Sequence, residues 1–124
     1  MNLHHLADFL RGDFAPNDLL NEIDAEVSEY RAAFRKRGSS RPIFVTEDTL
    51  QFLLGRQEIK RLCSLFLQGI LDEWQLQYIV NAIDLSSSFI IQDEKVRDAV
   101  FQLADPEVNL PLNTTNVAAL CEGL

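Results

Sequence analysis

Apolar residues recur at intervals of three and four along most of this chain, the spacing that lines one face of an α-helix. Leu3, Leu6 and Leu10 share such a face, and Gly12 supplies the stop. The next run is longer. Pro16 suits a first helical turn, Asn17 or Asp18 can cap it, and Leu20, Ile23, Val27, Tyr30 and Phe34 carry the pattern to about Arg37. Gly38-Ser39-Ser40-Arg41-Pro42 then breaks it, and Ile43-Phe44-Val45 is too short to separate a strand at 43–45 from a buried connector.

Thr46 or Asp48 can cap a further helical segment holding Leu50, Leu53 and Leu54, which Gly55 interrupts before Ile59, Leu62, Leu65 and Phe66 resume the period. Gln68-Gly69 ends it. Asp72 opens a helix whose Trp74, Leu76, Tyr78, Ile79, Val80 and Ile83 point around most of its circumference, as a helix in the middle of a bundle does. Ser86-Ser87-Ser88 reads as a loop, and Gln92 or Asp93 begins a helix with Val96, Val100 and Leu103 that Asp105-Pro106 terminates. Beyond Pro111, Thr114-Thr115-Asn116 caps a short last helix through Leu120. The expected fold is mainly α: a single-domain helical bundle of five or six helices over residues 1–124, with 43–45 as its one candidate strand.

A chain of 124 residues with 47% hydrophobic and 24% charged residues has enough apolar content to fold around one core and too much to be disordered. The net charge of −8 repels phosphate backbones and anionic head groups, so neither nucleic acid nor a membrane is expected as a partner. Asp8, Arg11 and Asp13 interrupt the N-terminal apolar residues, which argues against a signal peptide. Leu65 to Leu71, broken by Gln68, falls far short of the ~20 residues of a membrane span. A cytoplasmic protein is expected. Cys63 and Cys121 lie in apolar contexts that favour buried reduced thiols over a bridge or a reactive thiol.

The charges are segregated along the chain. Residues 8–29 hold seven acids against Arg11 alone, residues 30–61 are basic, and from residue 62 onward nine acids face Lys95 and Arg97. Asp18, Glu22, Glu26 and Glu29 follow one another at helical spacing with no Lys or Arg three or four residues away, an arrangement that costs about 0.2–0.5 kcal/mol per like-charged pair. Asp18 is partly excused by the helix dipole. A face shaped for a basic partner and a solvated face fit this helix equally. The C-terminal half, with no Lys or Arg between Leu62 and Glu94, tips the reading toward a partner and adds Asp72, Glu73 and Asp84 as candidate partner-binding residues. Arg35-Lys36-Arg37 with Arg41 could bind an anion, but a basic run at a helix C-terminus is what the dipole prefers.

Little points to catalysis. The two histidines, His4 and His5, are adjacent on a helix and diverge by about a hundred degrees, so they do not converge on a metal. The chain holds no glycine-rich phosphate loop, nucleophile elbow or paired-cysteine motif. Asp72-Glu73 could supply two carboxylates, yet adjacent acids before a helix are more often caps. No enzymatic activity, metal or cofactor is expected.

The corners Phe9-Leu10-Arg11-Gly12 and Phe66-Leu67-Gln68-Gly69-Ile70, the latter leading into Asp72-Glu73-Trp74-Gln75-Leu76, sit in a short acidic helical chain. In this style the chain resembles the small immunity proteins of bacterial toxin systems, contact-dependent growth inhibition among them. The resemblance implies a cytoplasmic protein that binds one cognate toxin, often a nuclease, and blocks its active site or its approach to substrate. A nuclease must be basic to hold its substrate, so an acidic inhibitor can compete for the same surface. The alternative is a structural or regulatory helical module that self-associates or bridges partners through apolar surface near Trp74, Phe89 and Ile91, residues that are more often core.

Overall fold

A computed structural model of the protein describes residues 1–34, 43 and 51–124. It is mainly helical. The elements in chain order are α1 (Leu3–Arg11), α2 (Pro16–Phe34), β1 (Phe52–Leu53), α3 (Arg56–Leu67), α4 (Glu73–Leu85), β2 (Phe89–Ile90), α5 (Glu94–Ala104) and α6 (Thr114–Glu122).

The helix ends follow from local chemistry. Asn2 accepts from the His4 and His5 amides to cap α1, and Gly12, in the left-handed conformation at φ 89°, closes it. Gly69, at φ 80°, does the same beyond α3, so the two Phe-to-Gly corners read from the sequence share a backbone device. Asp72 caps α4 in a reciprocal box with Gln75, each side chain bonding the other's amide at 2.8 and 2.9 Å. Asp93 caps α5 by accepting from the Lys95 amide.

Three expectations are corrected. Asn17 and Asp18 lie inside the first turn of α2 and do not cap it; Pro16 is already helical, and the Asp18 and Leu19 amides bond back to the Ala15 carbonyl. The cap of α6 is Asn113, which accepts from the Asn116 amide, one residue before the expected Thr114-Thr115-Asn116. Leu53 and Leu54 are not helical. Phe52–Leu53 forms a two-stranded parallel sheet with Phe89–Ile90, fixed by Phe52 N–H to the Ser88 carbonyl (2.8 Å) and Leu54 N–H to the Ile90 carbonyl (2.9 Å). The alternating side chains explain the pairing: Phe52 and Phe89 turn inward with ring centroids 5.5 Å apart, while Leu53 and Ile90 face solvent. Within 43–45, Ile43 is not in a strand, and Phe44 and Val45 lie outside the described residues, as do Arg35-Lys36-Arg37 and Arg41.

The buried apolar residues of all these elements form one core. α4 lies at its centre between α2 and α5, with Leu76, Tyr78, Ile79, Val80 and Ile83 essentially inaccessible, in agreement with its apolar circumference. α3 carries α5 and α6 as neighbours. A polar seam crosses the core: Tyr30 donates to Gln77 Oε1 (2.6 Å), and Asn81 donates to the Gln77 and Ala104 carbonyls (2.8 Å each), tying α2, α4 and the end of α5 together. No helix among the described residues is long and apolar enough to cross a membrane.

Candidate partner-binding surfaces

The four acids of α2 do not share one environment. At 100° per residue, Asp18, Glu22 and Glu29 fall within a strip of about 40°, and Glu26 sits roughly 40° closer to the core-facing Leu19 and Ile23. The packing of α1 follows that offset. Glu26 Oε1 accepts from the Met1 ammonium and from the Tyr78 hydroxyl, each at 2.7 Å, and its side chain is only 19% exposed. Glu22 bonds His5 Nδ1 and, more weakly, the Asn2 amide (3.4 Å). The His5 ring in turn stacks flat on Phe14, with centroids 4.8 Å apart. Asp18 and Glu29 are exposed and have no ion-pair partner among the described residues. The stripe that lacked basic neighbours along its own helix therefore finds partners elsewhere for two of its four members: Glu22 on His5 of α1, and Glu26 on Met1 ahead of α1 and Tyr78 of α4.

The second candidate group is dispersed. Asp72 is engaged as a helix cap, Glu73 is exposed in the first turn of α4, and Asp84 is exposed near its last turn. Glu73 and Asp84 are eleven residues apart, about 16 Å along the axis, so they form no single site. The apolar surface considered near Trp74, Phe89 and Ile91 is largely consumed by packing: Phe89 is buried, and Trp74 lies edge-on to Phe34 with Arg31 over its face.

Two features lay beyond the reach of the sequence. The first is a cleft of about 500 Å³ between α5 and α6, which rest side by side on α3. Ala99, Leu110, Leu120 and Leu124 line its apolar part, and Glu94, Asp98 and Lys95 stand along the α5 wall. At the far end of α5, Phe101 (55% exposed), Val108 (70%) and Leu110 (61%) leave large apolar groups in solvent. Asn109 holds this loop against the helix by donating to the Asp105 and Phe101 carbonyls. Val96, Val100 and Leu103 of α5 are buried in the core, as their spacing suggests, while Phe101 is left in solvent. The position of α6 against α3, which makes the cleft, depends on contacts distant in sequence.

The second feature is the pairing of Cys63 on α3 with Cys121 on α6. Both are free thiols. Burial, with the Cys121 thiol beside it, pushes the Cys63 thiol up to about 12. That environment makes Cys63 an unreactive core group. Elsewhere, the Arg56 guanidinium bonds Asp93 at 2.6 Å and holds that carboxyl below its ordinary value, while the arginine is shifted upward by the same contact. Among the described residues no group of three or more His, Cys, Asp or Glu is placed to hold a metal ion.

Compared with protein-family models, with curated proteins and with solved structures, the chain matches none of them.

Proposed function

We propose that this chain is a protein-binding inhibitor of the immunity type, a cytoplasmic domain that neutralises a cognate bacterial toxin through acidic surface and performs no chemistry of its own. The observation that supports this most is the condition of the acids in the C-terminal half. Asp72, Glu73, Asp84, Glu94, Asp98, Asp105 and Glu122 have no ion-pair partner among the described residues. Of the two cations in that half, Arg97 is turned onto the Ile91 carbonyl at 2.6 Å and Lys95 is exposed. These seven carboxylates are thus left to set the sign of the local field in the C-terminal half. Such a field speeds the approach of a basic protein and disfavours acidic competitors. Asp18 and Glu29 extend it to α2, so the partner-binding reading keeps those two acids along with Glu73 and Asp84, while Glu22 and Glu26 act first in holding α1.

The test is co-expression in a bacterial host with the reading frame that adjoins this one in its source genome. The neighbouring product alone should arrest growth, this chain should relieve the arrest, and the two should co-elute on size exclusion. A harmless neighbour, or an arrest that this chain leaves unrelieved, would count against the proposal.

A further inference from the structure

We infer that the α5–α6 cleft is a docking groove for an amphipathic basic helix of a partner protein. This deepens the reading of the chain as a protein-binding domain and rests on it. The geometry supplies the length. The α5 wall runs from Glu94 to Gln102, eight residues or about 12 Å, and an apolar stripe at i, i+3 or i+4, and i+7 of a docking helix spans about 10.5 Å. A volume of about 500 Å³ takes the side chains of such a stripe. Leu110, Leu120 and Leu124 offer it an apolar floor.

Charge selects among occupants. Glu94 and Asp98 lie one helical turn apart on the wall, and Asp105 stands beyond them at the loop. Lys95 is the sole cation of the lining. A second copy of this chain, itself at −8, would bring like charge to this rim, and an acidic segment would do the same. Arg or Lys residues flanking an apolar stripe complement it, with Asp98, already bonded by Gln102 at 2.7 Å, held in place to accept them.

The probe is a synthetic helical peptide of roughly four turns with Leu at the stripe positions and Arg around them, compared with the same peptide carrying Glu for Arg. Titrated into the labelled full chain, the Arg peptide should shift amide resonances of Asp98, Gln102, Asn116 and Leu120, leave those of Asp18 and Glu29 unmoved, and bind at least about tenfold tighter than the Glu peptide. Leu110→Ser with Leu124→Ser, both in the lining of the cleft, should weaken binding about tenfold while leaving the circular dichroism unchanged. Shifts confined to α1 and α2, or equal binding of both peptides, would overturn the assignment. So would concentration-dependent dimerisation of the wild type that the serine pair abolishes, since that gives the groove to a second copy. If the serine pair still relieves growth arrest as wild type does, the docking groove is wrong and the proposed function stands; if wild type itself fails to relieve it, the function fails.

Discussion

Removing the Glu26 carboxylate should destabilise the protein far more than removing Glu29, three residues along the same helix. Glu26 receives two donors from residues that folding has largely taken out of water: the ammonium of Met1, a residue 6% exposed, and the hydroxyl of Tyr78, a residue at 0%. A hydrogen bond to a charged group contributes about 1.5–3 kcal/mol, and Glu26 accepts two. The two losses share one acceptor and are not additive, so Glu26→Ala should cost on the order of 2–4 kcal/mol. Glu26→Gln keeps an acceptor oxygen without the charge and should cost about half as much. Glu29, exposed and without a partner among the described residues, should change stability by less than about 0.5 kcal/mol when replaced by Ala. Urea unfolding followed by circular dichroism measures all three, with any tag at the C-terminus so that the Met1 ammonium is kept. In a chain of this size each kcal/mol corresponds to roughly 3–5 °C in Tm, which gives a second reading of the same ranking. If Glu26→Ala and Glu29→Ala agree within about 0.5 kcal/mol, the α1 clasp contributes nothing and the account of it is wrong.

Ile79, at 0% exposure in the central helix, should lose about 2–5 kcal/mol on replacement by Ala; a loss under roughly 0.5 kcal/mol would remove it from the core. Cys63 should resist alkylation by iodoacetamide at pH 8 until the chain is unfolded, and rapid labelling of the native protein would contradict its burial. Because its folded value is raised from 9.0 to about 12, the neutral buried thiol contributes stability that is fully present below pH ~9 and is lost as pH rises toward 12. The difference in unfolding free energy between wild type and Cys63→Ala should therefore shrink across that window; a constant difference would refute the shift. Gly12→Ala places a side chain at φ 89° and should cost about 1 kcal/mol by strain alone, since the nearest atoms to the added carbon are 3.9 Å away; an unchanged urea midpoint would count against this.

Helices were legible wherever the apolar period ran long enough to be unambiguous. The α4 circumference, the Gly12 stop and the Asp72 and Asp93 caps all rest on contacts within four residues, which sequence order displays directly. The strands were not legible because each is two residues long and parallel. Phe52–Leu53 has its partner 37 positions away at Phe89–Ile90, beyond two helices, and Leu53-Leu54 beside Ile59 and Leu62 imitates a helical spacing. Ser86-Ser87-Ser88 is the loop that its sequence suggests, yet Ser86 and Ser88 are buried; Ser88 lends its carbonyl to the Phe52 amide and donates its own amide to the Ser86 hydroxyl. The α5–α6 cleft belongs to the same class of feature, since α6 is positioned by α3, some fifty residues earlier.

The acids of α2 illustrate how a charge pattern acquires meaning only after folding. Along the helix, Asp18, Glu22, Glu26 and Glu29 look alike, and replacing Glu22 and Glu26 by Lys would relieve like-charge spacing at a gain of a few tenths of a kcal/mol. In three dimensions the same change sets a cation beside the Met1 ammonium and breaks the bonds that His5 and Tyr78 make to these two carboxylates, a penalty several times larger. Loss of partner binding in that variant would therefore report on a loosened α1 as readily as on a missing contact surface. Reversal of Asp18 and Glu29 leaves those bonds intact, so any slowing of association it produces, read at low salt and again where salt screens it, reports on the field alone. Comparing that pair with reversal of Glu94 and Asp98 assigns the steering to α2 or to the cleft, because the fold spends none of these four carboxylates on an ion pair among the described residues.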